Sequence, residues 1–171
     1  MNTRVLVILS LLVGIGAALH FVMPPIYGVT PDMMLAMMFL GIMLFPKINY
    51  VMVLSIATGV LSALSTSAPG GQIANLIEKP ITAFIFFALF LLLKDKINHN
   101  ITAPVLTAIG TMISGSIFLS FVLYVIGLMD GAFLLAFTTA VLPAAGLNTV
   151  LMVVIYPVVQ QILKRSKPIT V

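Results

Sequence analysis

Cysteine is absent from the 171 residues, which excludes disulfides, thiol nucleophiles and thiolate metal sites. Histidine is almost absent: His20 and His99 stand alone, without a second ligand at metal-binding spacing, so no metal, haem or other resident cofactor is expected. Charge is scarce as well, at 7% of residues against roughly 25% in soluble domains. With a mean hydropathy of +1.25, this excludes a water-soluble domain. No basic run exceeds Lys164 to Lys167, so the net charge of +4 points to anchored cytoplasmic loops rather than to nucleic acid.

What is there is apolar sequence cut into pieces by charges and by Pro/Gly clusters. A helix needs about 20 apolar residues to cross a hydrocarbon core of about 30 Å. Six such pieces follow: Val5 to Met23, Asp32 to Phe45, Ile48 to Thr66, Asn75 to Leu93, Pro104 to Leu128 and Ala132 to Leu163. The first has a basic start but no convincing cleavage site, so it is a spanning helix rather than a signal peptide. The expected fold class is all-α, a polytopic bundle of six transmembrane helices forming a single transmembrane domain over 1–171. Arg4, Lys47, Lys94, Lys96, Lys164, Arg165 and Lys167 then share one side, with Lys79 the sole base opposite. By the positive-inside rule both termini are cytoplasmic and Asp32, Glu78 and Asp130 face outward. No internal or inverted repeat is visible.

The pieces are unequal. The second is too short to span in full, so Asp32 belongs at or below the outer hydrocarbon boundary. Counting about 20 residues back from Lys94 starts the fourth helix near Asn75, with Glu78, Lys79 and Pro80 in its first turns. The last piece is too long. Gly131 to Leu142 is therefore expected to be interfacial or re-entrant, broken at Pro143, with Asn148 one turn below the boundary. Three outward helix starts, at Asp32, Asn75 to Glu78 and Pro143 to Asn148, would suit a carboxylate ligand. The loops Pro24 to Pro31 and Ser65 to Gln72, rich in Pro, Gly and hydroxyl residues, have the composition of a hinged lid.

Each polar residue has two readings. Asp32 and Glu78 are either dipole-neutralising first-turn carboxylates, with Asn75 and Glu78 at capping-box spacing, or partners for a ligand ammonium. Lys79 is an interfacial anchor or a carboxylate partner. Asn148 needs a buried partner, a neighbouring helix or a ligand. His20 is an interfacial or interhelix hydrogen-bonder, or else a ligand contact or pH sensor. Met33, Met34, Met37, Met38 and Met43 are adaptable packing, unless a flat aromatic ligand lies near Asp32 with Tyr27, Phe84 and Phe87 beside it. Gln72 and Asn75 complete the candidate site. Ser10, Gly14 and Ala18 form a small-residue stripe, as do Gly110, Ser114 and Gly115, for close approach of another helix within the bundle or of a partner.

Pro24-Pro25, Pro31-Asp32-Met33-Met34, Phe45-Pro46, Gly71-Gln72-Ile73, Glu78-Lys79-Pro80, Leu142-Pro143-Ala144-Ala145, Leu147-Asn148-Thr149 and Ile155-Tyr156-Pro157 together resemble the bacterial tryptophan transport protein (TrpP) family over nearly the whole chain. That resemblance implies a six-spanning protein of the cell membrane, similar to the substrate-binding components of energy-coupling factor transporters. Such a component binds its substrate from outside, here tryptophan or a related indole or aromatic amino acid. A transmembrane coupling protein and an ATPase pair act in trans, and no Walker A motif occurs in this chain. The resemblance also implies that Gly14 and Ala18, with Ser10, dock the coupling protein, although the family pattern there is usually Ala-xxx-Ala. An enzymatic function is not expected. The competing functions are a self-sufficient proton-coupled amino-acid carrier, using Asp32 or Glu78, and a non-transporting membrane scaffold.

Overall fold

The computed structural model describes residues 1–24, 29–94, 96, 98–128 and 131–165, the side chains of 99, 100 and 164 apart. It is all helical. The helices are α1 (Thr3–Val22), α2 (Met33–Leu44), α3 (Ile48–Ser65), α4 (Gly71–Leu93) and α5 (His99–Ser120), the last prolonged by a π-helical turn, Phe121–Val125. The sixth, α6, runs through Phe133–Ala136, a π-helical turn Phe137–Val141, and Leu142–Arg165. All except α2 are long and apolar enough to cross a membrane.

Packed helices joined by links of three to five residues, as at 45–47 and 66–70, must run antiparallel. The starts of odd helices and the ends of even ones therefore gather at one end. A hydrogen bond from the Asn2 N–H to the Tyr50 hydroxyl, 2.9 Å, joins the starts of α1 and α3 there. That end carries Arg4, Lys47, Lys94, Lys96 and Arg165; the heads of α2 and α4 point to the other.

Helix α2 determines the interior. Its 12 residues are apolar on every face, and all from Met33 to Met43 are buried, as a helix without a polar stripe requires. At 1.5 Å per residue it is about 18 Å long, so it fills only part of a hydrocarbon core of about 30 Å. Its lower part is packed solid. Phe39 stacks on Phe86 of α4 with centroids 4.0 Å apart and planes 5° from parallel. Gly110 of α5 makes room for the pair: a Cβ there would lie 2.7 Å from Phe39 Cζ and 2.8 Å from Phe86 Cδ2.

Three boundaries differ from the sequence reading. Helix α4 begins at Gly71, one turn before Asn75, because Gly70 takes a left-handed conformation (φ 73°) and the Gly71 N–H closes a turn on the Ala68 carbonyl. The capping box is therefore not made, and Asn75, Glu78, Lys79 and Pro80 lie beyond the first turn. Helix α5 begins at His99 rather than Pro104, its first turn closed by the Asn98 carbonyl accepting from Ile101 and Thr102; polar residues lie outside an apolar window yet remain helical. Helix α6 is not broken at Pro143. The preceding π turn, closed by the Leu142 N–H on the Phe137 carbonyl, widens the helix where the proline ring would meet the Thr139 carbonyl. The Thr138 and Thr139 hydroxyls donate back to the Leu134 and Leu135 carbonyls at 2.7 to 3.0 Å. Pro143 thus marks no helix start: the helix that carries it begins ten residues earlier, at Phe133.

Candidate substrate-binding site

Where α2 stops short, a cavity of about 550 Å³ opens, within the usual range for small-molecule sites. The head of α2, the end of α3 with residues 65–68, and the first turns of α4 supply its polar side. Its apolar side comes from α5 and from the π-turn region of α6.

Asp32 caps α2: its Oδ1 accepts from the Leu35 N–H at 2.9 Å, as a carboxylate at a helix start should. Its Oδ2 receives the Lys79 ammonium at 2.6 Å. Lys79 also faces Glu78 Oε2 at 3.3 Å. Burial increases along this row, with side-chain exposures of 28% at Asp32, 3% at Lys79 and 0% at Glu78. Glu78 Oε1 accepts from Thr82 at 3.2 Å and from the Ser114 hydroxyl, whereas Oε2 accepts no hydrogen bond among the described residues. Asp32 caps its helix, as the first of its two readings has it, and the ammonium it pairs with is that of Lys79. Lys79 is not the interfacial anchor considered from sequence, because two carboxylates hold it inside the bundle.

The face of α4 that makes this possible is Asn75, Glu78, Lys79 and Thr82, spaced i, i+3, i+4, i+7 and all buried. Asn75 donates to the Gly71 carbonyl at 2.9 Å and lies 3.5 Å from the Ser62 carbonyl, holding α4 to α3. The facing surface of α5 has the same spacing: Thr111, Ser114, Gly115 and Phe118 all line the cavity. Elsewhere on α5, Thr107, Ser116 and Ser120 donate to carbonyls of their own helix. Thr111 and Ser114 instead turn to other helices. Asn148 is fully buried and donates to Thr111 at 3.2 Å, while its Oδ1 finds no partner among the described residues.

The structure thus unites Asp32, Asn75 and Lys79 at the cavity, with Glu78 and Asn148 one layer behind. Gln72 is exposed and does not line it. Tyr27 lies outside the described residues, as do Asp130 and Lys167. Phe84 and Phe87 are not beside the cavity either, because α4 turns them away from it; the aromatic wall is Phe118, with Met34, Leu35 and Leu119. The other methionines of α2 are core packing. His20 also lines the cavity, its buried Nδ1 without a hydrogen-bond partner among the described residues. Sequence reasoning missed Thr111, Phe118 and the Ala136 to Ala144 wall, and noted Ser114 and Gly115 only as small residues. Among the described residues no group of three or more metal-ligating side chains comes together.

Ser10, Gly14 and Ala18 are exposed along one face of α1, and a Cβ on Gly14 would meet nothing within 4 Å. The internal contact of α1 with α2 uses Gly16 instead, where a Cβ would stand 3.2 Å from the Met33 carbonyl.

Apolar helices of spanning length, with a cavity at one end of the bundle, define a multi-pass membrane protein. The family profile described as "Tryptophan transporter TrpP" matches residues 2–164, and the chain belongs to that family, one of bacterial transport proteins and not of enzymes. Three relatives carry the name "Probable tryptophan transport protein". The chain is 54% identical to that of Bacillus subtilis (strain 168) over 167 residues, 97% of this chain and 96% of the relative. It is 37% identical to that of Clostridium acetobutylicum over 162 residues, 94% of each. It is 34% identical to that of Clostridium perfringens (strain 13 / Type A) over 176 residues, 96% of each. No solved structure matches the chain significantly.

Proposed function

We propose that the protein takes up tryptophan, binding it from the outer face in the cavity above α2, as the substrate-binding component of an energy-coupling factor transporter. The observation that carries this reading is the pairing, in one cavity of about 550 Å³, of a charged side with an apolar and aromatic side. Asp32, the most exposed charge of the row, is suited to the ammonium. The hydroxyls of Ser62, Ser65 and Thr111 are suited to the carboxylate. Met34, Leu35 and Phe118 suit the indole, through sulfur and edge contacts to its face. The names of the three relatives support the substrate.

Orientation follows the charge. With Arg4, Lys47, Lys94, Lys96 and Arg165 at the opposite end, the positive-inside rule turns the cavity outward and both termini inward. Coupling to ATP requires partners, since the chain has no Walker A motif. The exposed face of Ser10, Gly14 and Ala18, beside a shallow groove of about 510 Å³, is the proposed seat of the coupling protein.

The test is equilibrium binding of tryptophan, tyrosine, phenylalanine and riboflavin to the detergent-purified protein. Tryptophan at about 100 times its Kd stabilises the folded state by roughly 2.7 kcal/mol and raises the melting temperature. Failure of tryptophan to bind removes the specificity. A second reading, a proton-coupled carrier, draws support from the buried charges of Asp32, Lys79 and Glu78, which are uncommon inside membranes outside ion pathways. Uptake that survives collapse of the proton gradient while ATP is maintained excludes it.

A further inference from the structure

The row Asp32, Lys79, Glu78 contains two carboxylates and one ammonium. Among the described residues Lys79 is the only Lys or Arg at this end of the bundle, and His20 at the cavity is the only other group able to carry positive charge there. The row is therefore one positive charge short. An unpaired buried carboxylate is costly, and the arrangement limits that cost by sharing Lys79 unevenly, 2.6 Å from Asp32 and 3.3 Å from Glu78. Glu78 is preorganised to take a larger share. Thr82 and Ser114 fix its Oε1, and its Oε2 accepts no hydrogen bond and faces the ammonium.

We propose that Lys79 stands in for a ligand's ammonium in the empty protein and is handed from Asp32 to Glu78 when that ammonium arrives. Glu78 is then a positioning residue for binding, although it never touches the ligand. The handover rests on the reading of the cavity as an amino-acid site and deepens it: the positive charge of the ligand, not its carboxylate, is what the site requires. A ligand ammonium completes the count, so each carboxylate has a positive partner of its own once the ligand is bound. A ligand bringing only a carboxylate adds a second uncompensated negative charge.

The experiment measures binding of tryptophan, tryptamine and indole-3-propionate to the unaltered full chain, to Glu78→Gln and to Glu78→Gln/Lys79→Met. On the unaltered chain, tryptophan and tryptamine raise the melting temperature and indole-3-propionate does not. Glu78→Gln weakens tryptophan binding by at least about tenfold, because the displaced ammonium has no carboxylate to receive it. Removing that ammonium as well, in the double variant, frees Asp32 and returns affinity to within about threefold of the unaltered chain, a rescue that a structural role for Glu78 would not give. Unchanged affinity in Glu78→Gln, or a double variant as weak as the single, overturns the handover. Should Glu78→Gln fail to fold, the ligand series still decides. Tryptophan binding without tryptamine, or with indole-3-propionate binding equally well, keeps the tryptophan reading and overturns the handover. No response to any of the three overturns both.

Discussion

The two halves of the bundle are built on opposite principles. Around the lower part of α2, near the basic end, Phe39, Phe86, Phe90, Leu54 and Met152 belong to one apolar cluster, in the manner of a dense protein interior. Around the head of α2 the same helices are hollow, and the buried groups are Asp32, Lys79, Glu78, Asn148 and a set of hydroxyls. The difference originates in one short helix, whose about 18 Å length fills the lower half and leaves the upper half empty. A molecule so built is accessible from one end and closed at the other, so a solute cannot pass through it as through a pore.

The largest expected effect separates the halves by stability. Phe86→Ala removes one ring of the stack and should cost about 3–5 kcal/mol, seen as a lower melting temperature, with tryptophan affinity of the folded fraction unchanged within about threefold. A stable Phe86→Ala variant would show that the lower half is not tightly packed. Asp32→Asn should do the reverse, weakening tryptophan binding about 100-fold, roughly 2.8 kcal/mol by titration calorimetry; full affinity in that variant would mean the ammonium lies elsewhere.

Gly115→Val tests the boundary between them. A Cβ at Gly115 would lie 2.5 Å from Val141 Cγ1, so the change must push α5 from the π turn of α6, costing about 1–3 kcal/mol and about tenfold in affinity. An unaltered melting curve would show that the π turn yields freely. Gly14→Leu faces open space and should alter stability by no more than about 0.5 kcal/mol and leave binding intact, yet reduce uptake by cells at least about tenfold. Full uptake would remove the docking role of that face. The smallest effect belongs to Gln72→Ala, exposed and away from the cavity, with affinity within about twofold of the unaltered chain.

Much of the frame was legible because lipid leaves few choices. Charges and Pro/Gly clusters punctuate apolar runs at bilayer spacing, and the brevity of α2, with Asp32 at its head, followed from counting. Counting failed where local geometry overrules thickness: the left-handed Gly70 starts α4 a turn early, and the π turn absorbs Pro143, which by composition alone is a break. The site was half legible. Asp32, Glu78, Lys79, Asn75 and Asn148 are conspicuous as polar residues in apolar sequence. The pairing of Lys79 with Asp32, 47 positions away, has no local signal. The Thr111 and Ser114 hydroxyls were hidden among others of the same helix, because Thr107, Ser116 and Ser120 satisfy themselves on their own carbonyls.

The length of α2 also constrains how the protein is made. A 12-residue apolar segment is too short to rest across a bilayer by itself, and every residue from Met33 to Met43 ends up enclosed by protein. It cannot be settled in lipid as an independent stop during synthesis. Its neighbours α1 and α3 pack on it, so its place in the membrane is fixed only after α3, which is synthesised later, has joined it.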